Sequence, residues 1–134
     1  MIWLLDTNAW ITYLKRKNDK LVGRVESGDP ADMCLCSVVR FELLYGAYKG
    51  TQRHANLLLL AKLFGRFPSL PFSDVVADTA GEIRADLEKK GTPIGPFDLL
   101  IAATARCHDL IVVSANNHEF SRVPNLKLEN WEIE

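Results

Sequence analysis

Cysteine and histidine are scarce in this chain, with three of each among 134 residues. Cys34, Cys36 and Cys107 are odd in number and lack framework spacing. A disulfide scaffold is therefore excluded, and the count fits a reducing cytoplasm. His54, His108 and His118 show no HxxxH-type spacing, so a zinc site has no sequence support. Excess charge of either sign is also missing: the net charge is −1, which gives no global attraction for a polyanion. Binding one would need a local basic patch or a metal, and Lys15, Arg16, Lys17 and Lys20, with Arg24 beyond, are the one basic cluster. Long apolar runs do not occur. Leu57 to Leu60 is too short to span a bilayer, and the opening MIWLLDTN has no signal-peptide h-region. There is no internal repeat, low-complexity segment or linker.

What remains is a composition with 48% hydrophobic and 25% charged residues, which reads as globular. The length suits one domain, residues 1–134, able to bury roughly two-thirds of its unfolded surface. Ile2 to Leu5 predicts a short buried strand, ending at Asp6-Thr7-Asn8, residue types that cap a helix through Trp10, Ile11 and Leu14. A second short helix is expected around Leu21 to Glu26, and Gly28-Asp29-Pro30 forms a turn. Met33 to Cys36 reads as a second buried strand, after which Ser37 is placed to cap a helix over Val38 to Lys49 that is apolar around most of its circumference. Gln52 to Phe64 predicts a Leu-rich partner helix, and Pro68 to Phe72 a short extended piece. Ser73 caps a long helix in which Val76, Ala80, Ile83 and Leu87 share one face. Lys89, Lys90 and Gly91 suit its end. A helix near Phe97 to His108 and strands at Leu110 to Val113 and within Leu126 to Trp131 complete the pattern. Short apolar strands alternating with helices imply an α/β fold with a mainly parallel central sheet flanked by helices. In such a sheet, sites form at the carboxyl ends of strands, where Asp6 and the segment Ser114 to Glu119 stand.

Four acids raise the question of chemistry. Asp6, taken alone, is as well explained as a helix cap. Glu42 sits among Phe41, Leu43 and Leu44 on a helix expected to be largely buried, where an unpaired carboxylate is costly; the structural alternative is a Glu that snorkels to an edge or pairs with Arg40 or Arg84. Asp98 shares a face with Ile101, Ala102 and Ala105, a core-facing position that a helix N-terminus tolerates but does not require. Glu119, in SANNHEF, reads by itself as solvated. Carboxylates gathered at one sheet edge would repel and raise one another's pKa unless a cation sat among them. An oxygen-only ligand set without His or Cys favours Mg²⁺ or Mn²⁺, and such an ion suits phosphoryl chemistry.

With these acids in place the chain resembles the PIN-domain family, and within it the VapC-type toxins of prokaryotic toxin–antitoxin pairs. The likeness runs through LLDTNAWI, SVVRFELLYGAYKG, IRADLEKKGTPIGPFDLLIAATA, VVSANNHEFSRVPNL and LENW. The resemblance implies a PIN-like domain acting as a Mg²⁺-dependent endoribonuclease, Mn²⁺ substituting, on single-stranded or loop RNA, with tRNA among the family's substrates. It implies that Asp6, Glu42, Asp98 and Glu119 form the catalytic metal site. Asp6, Asp98 and Glu42 would hold one ion, while Glu119 would help with a second or orient water. Asn8, Ser114 and Asn116 would support them, Asn8 by hydrogen bonding to Asp6. Activated water would attack phosphorus in line, leaving a 5′-phosphate and a 3′-hydroxyl. The resemblance further implies a cognate VapB-type antitoxin, a homodimer, and contact with operator DNA only through the antitoxin. Ser114-Ala115 departs from the family's usual Thr-Asn or Thr-His, and Phe97 from its frequent Tyr, Leu or Asn.

Three rivals are weaker. A duplex-gripping nuclease lacks its extra helices here, and the isoelectric point near 6.3 does not favour duplex DNA. A haloacid-dehalogenase-type phosphatase needs an Asp two residues after the first Asp, where Asn8 stands. A non-catalytic binding module predicts loss of an acid, and Asp6, Glu42 and Asp98 are all present.

Overall fold

The computed structural model describes residues 1–133. Five short strands, β1 (Trp3–Leu5), β2 (Met33–Cys36), β3 (Ser69–Leu70), β4 (Ile111–Val113) and β5 (Lys127–Glu129), form one sheet in the order β3-β2-β1-β4-β5. Every pairing is parallel, with Leu4 opposite Cys34 on one side and Val112 on the other. The central strands are apolar throughout because helices cover both faces; Leu4, Leu5, Cys34, Leu35, Val112 and Val113 are buried. The strand order reverses at β1, whose neighbours β2 and β4 lie on opposite sides. The crevice past the carboxyl ends of β1 and β4 is thus the place where an open parallel sheet binds ligands.

The helices are α1 (Thr7–Leu14), α2 (Asp19–Ser27), α3 (Ser37–Lys49), α4 (Arg53–Arg66), α5 (Asp74–Lys89), α6 (Pro96–Cys107) and α7 (Asn117–Phe120). Their starts follow capping chemistry. Asp6, Asn18 and Ser73 accept backbone N–H groups at the heads of α1, α2 and α5, each relieving one of the helix's unpaired donors. α5 buries Val76, Ala80, Ile83 and Leu87, the predicted stripe, and packs extensively along α6. It ends at Gly91, whose φ of +72° is the left-handed position that glycine supplies without strain.

The structure departs from the sequence expectations at three points. Cys36, not Ser37, occupies the cap position of α3. The Ser37 hydroxyl instead donates to Leu70 O (3.4 Å) and accepts from the Phe72 N–H (3.3 Å), fastening the β3 segment to α3. Second, α3 is not largely buried. Its core stripe is Val38, Val39, Leu43 and Ala47, while Phe41, Tyr45 and Tyr48 are 51, 57 and 53% exposed. Counting apolar residues around a helix does not separate a core face from an aromatic surface face. Third, the segment around Glu119 is a short helix, α7, with Phe120 buried beneath it; four residues are too few to show a helical period.

No helix is long and apolar enough among the described residues to cross a membrane. Cys34 and Cys36 are buried, and burial pushes the Cys34 thiol up to about 12, which makes it a small core hydrophobe.

Candidate active site

The crevice is built from four chain segments. Asp6 leaves the end of β1 and caps α1, its Oδ1 accepting the Ala9 N–H at 2.8 Å. Its Oδ2 accepts the hydroxyl of Ser114, the first residue past β4, at 2.6 Å. The hydroxyl oxygen of Ser114 in turn accepts the Asn116 N–H at 2.8 Å, which fixes the turn into α7. Asp6 is only 4% exposed. Burial pushes its carboxyl up to about 6, opposed by the Ser114 and Ala9 hydrogen bonds and reinforced by Asp98.

Asp98 lies in the first turn of α6. The core-facing reading holds in part: Ile101, Ala102 and Ala105 are buried, but Asp98 itself is half-buried at the rim. Its Oδ2 accepts Nδ2 of Asn116 at 3.3 Å. Its carboxyl is held above the usual range by burial first, then by the charges of Glu119 and Glu42. Glu42, half-buried on α3, accepts the Thr7 hydroxyl on Oε1 at 2.6 Å. Glu119 accepts Asn116 Nδ2 on Oε2 at 2.9 Å and the Gly95 N–H on Oε1 at 3.2 Å. Those two donors hold its carboxyl below the ordinary Glu value.

Positions 6, 42, 98 and 119 thus arrive at one sheet end and feel one another's charge. Among the described residues no lysine or arginine forms an ion pair with any of the four. The ion pairs considered for Glu42 do not form: Arg84 pairs with Glu88 at 2.9 Å, and Arg40 lies over the Phe64 ring. Nor do the described residues converge into a ready-made group of three metal-holding side chains; each carboxylate leans toward a hydrogen-bond donor, as mutually repelling acids do. A hard divalent cation fits this donor set. Among the described residues Oε2 of Glu42 and Oδ1 of Asp98 carry no protein hydrogen bond, and burial disfavours the charged forms of Asp6 and Asp98 when no cation is near.

One supporting role differs from expectation. Asn8 is exposed, and both hydrogen bonds to Asp6 come from elsewhere. Helix geometry points the second residue after a cap outward. Thr7 and Gly95, which the sequence reading passed over, carry contacts instead; for Thr7 its place directly after Asp6 was the available signal, and for Gly95 there was none. Within the basic cluster, Arg16 pairs with Glu26 at 2.9 Å and Lys20 donates to Ile133 O at 3.0 Å. Lys15 and Glu42 both line an apolar groove of about 210 Å³ between α1, α3 and α4, with Ile11, Leu14, Leu43 and Leu60.

Residues 3–126 match the family model described as the PIN domain. The tRNA(fMet)-specific endonuclease VapC of Salmonella typhimurium is 36% identical over 129 residues, 96% of this chain and 97% of that protein. Ribonuclease VapC2 of Haemophilus influenzae is 37% identical over the same shares. Among solved structures, DNA-bound VapBC from Salmonella typhimurium superposes with a TM-score of 0.92 at 36% identity, covering 98% of each chain. VapBC2 from Rickettsia felis, bound to a DNA fragment from its promoter, gives 0.90 at 34% identity over 98% of this chain and 99% of that one. By sequence and by superposition of the fold, the chain belongs to the PIN-domain family, among the VapC ribonuclease toxins of VapBC toxin–antitoxin systems.

Proposed function

We propose that the chain is a divalent-metal-dependent endoribonuclease, using Mg²⁺ or Mn²⁺, that hydrolyses RNA phosphodiesters, tRNA being the first substrate to test. The observation that carries this reading is that Asp6, Glu42 and Asp98 stand around the β1/β4 crevice, with the carboxyls of Asp6 and Asp98 both raised and no basic side chain among the described residues paired to them. Asp6, Glu42 and Asp98 would hold the ion, with Glu119 at its edge. When bound, the ion supplies an activated water and neutralises charge developing on the phosphoryl oxygens. Ser114 keeps Asp6 oriented through its hydroxyl, and Thr7 does the same for Glu42. The expected products carry a 5′-phosphate and a 3′-hydroxyl.

The groove between α1, α3 and α4 fits an apolar helix of a VapB-type antitoxin, and Glu42 at its end offers a partner for a basic side chain of that antitoxin. DNA contact would then come through the antitoxin alone. The exposed aromatic face of α3 suits a homodimer contact, within the cytoplasm and away from any membrane.

The test is cleavage of a panel of tRNAs and structured RNAs by the antitoxin-free protein with Mg²⁺ or Mn²⁺, beside Asp98→Asn and an EDTA control. Cuts that vanish in both controls support the reading, and mapped ends name the substrate. Cuts that survive in Asp98→Asn, or a folded protein that cuts nothing, count against it.

A further inference from the structure

The amide of Asn116 stands between two of the four acids. Its single Nδ2 gives one hydrogen bond to Asp98 (3.3 Å) and one to Glu119 (2.9 Å). Glu119 is then committed at its other oxygen as well, to the N–H of Gly95, the residue that caps α6. Four groups form a closed path. It runs from the α7 segment through Glu119 to the residue before α6, along the first turn to Asp98, and back through the amide to Asn116.

The four acids divide on this point. Among the described residues, Glu42 and Asp98 each keep one oxygen with no protein donor. Asp6 and Glu119 carry donors on both: Asp6 from the Ala9 N–H and the Ser114 hydroxyl, Glu119 from the Gly95 N–H and the Asn116 amide. Glu119 differs from Asp6 in that its donor is shared with a second acid, Asp98.

Resting on the metal-nuclease reading above, we propose that Glu119 is a positioning residue, not a metal ligand. With Asn116 and Gly95 it forms a latch that ties the start of α6 to the β4–α7 turn and fixes the carboxylate of Asp98.

The latch exists without metal, so it is tested first in the metal-free protein by hydrogen exchange. Glu119→Ala should speed exchange of the Gly95 amide by at least about tenfold, an opening worth roughly 1.4 kcal/mol. Glu119→Gln, which keeps an acceptor for that N–H, should hold exchange near the wild-type rate. Exchange at Gly95 that Glu119→Ala leaves unchanged would overturn the latch. Mn²⁺ titration followed by electron paramagnetic resonance then separates positioning from ligation. Wild type and Glu119→Ala should each bind one ion per chain, the variant about tenfold more weakly, as loss of an outer-shell partner does. Glu119→Gln should recover most of that affinity, and Asp98→Ala should bind none at millimolar Mn²⁺. Two ions in wild type with one lost in Glu119→Ala, or loss in Glu119→Ala as complete as in Asp98→Ala, would overturn the proposal. No Mn²⁺ bound by folded wild type would sink the metal-nuclease reading and, with it, the contrast between positioning and ligation; the exchange experiment still decides the latch itself.

Discussion

Asp6 is a carboxyl whose pKa, 3.8 when unperturbed, is pushed up to about 6, chiefly by burial. Between those two values the folded state holds a proton that the unfolded state has released. Unfolding free energy therefore falls as pH rises through this window, and above pH 6 the buried charge costs the metal-free fold roughly 3 kcal/mol. Asp6→Asn removes that titration while its amide oxygen can still accept the Ala9 N–H. In denaturant melts at pH 7.5 without metal, Asp6→Asn should be the more stable protein by about 1–3 kcal/mol, and the gap should close by pH 4. Saturating Mn²⁺ should raise the wild-type midpoint and leave the variant's unmoved. A variant that is less stable than wild type at pH 7.5 would show that burial does not disfavour the charged Asp6. Ser114→Ala works in the opposite sense. It removes the hydroxyl that Asp6 leans on, and the acceptor of the Asn116 N–H, at a cost of about 1–3 kcal/mol. It should also move Asp6 to a still higher pKa, readable from its carboxyl carbon shift in an NMR titration.

Helix ends position the site. α6 presents Asp98 in its first turn and buries Leu99, Ile101, Ala102, Ala103 and Ala105 behind it, so the carboxylate sits at the mouth of a helix that cannot rotate without exposing its core face. α5 holds α6 from the other side and stops at Gly91 in a left-handed conformation. A Cβ added there meets nothing within 4 Å, so Gly91→Ala isolates backbone strain from packing. It should cost about 1–2 kcal/mol, a fall in melting temperature of roughly 3–6 °C by calorimetry, with Mn²⁺ affinity unchanged. Much of this element-level order was legible beforehand. The stripe Val76, Ala80, Ile83 and Leu87, the Ser73 cap and the Gly91 stop all follow from period and capping chemistry. α3 was not legible in the same way, since Val39, Leu43 and Ala47 look no more core-like in sequence than Phe41, Tyr45 and Tyr48.

At the scale of the whole molecule, that aromatic face has a consequence. Phe41 stacks edge-on against Phe97 at 5.5 Å between ring centroids, and Tyr45 and Tyr48 continue the patch along α3. Exposed aromatic area of this kind marks an interface. Tyr45→Asp combined with Tyr48→Asp should leave the melting temperature within about 2 °C, because neither ring packs in the core. The same variant should convert a dimer to a monomer in analytical ultracentrifugation. A dimer that persists in it would place the contact elsewhere, the outer face of α4 with exposed Leu58 and Leu59 being next to test.

The sequence alone determined the alternation of apolar strands with capped helices. Through it came the parallel α/β class and the rule that Asp6 and the Ser114–Glu119 segment stand past strand ends. These are local properties: period, cap and turn are read over a few residues. The order β3-β2-β1-β4-β5 and the meeting of residues 6, 42, 98 and 119 across more than a hundred positions follow from how strands pair and helices cross. The tertiary structure also decided the partners. Thr7, not Arg40 or Arg84, holds Glu42; Ser114 and the Ala9 amide, not Asn8, hold Asp6; Asn116 and Gly95 occupy Glu119. A hydrogen bond is settled by ångströms and direction, and neither is written in the spacing of residues along a chain.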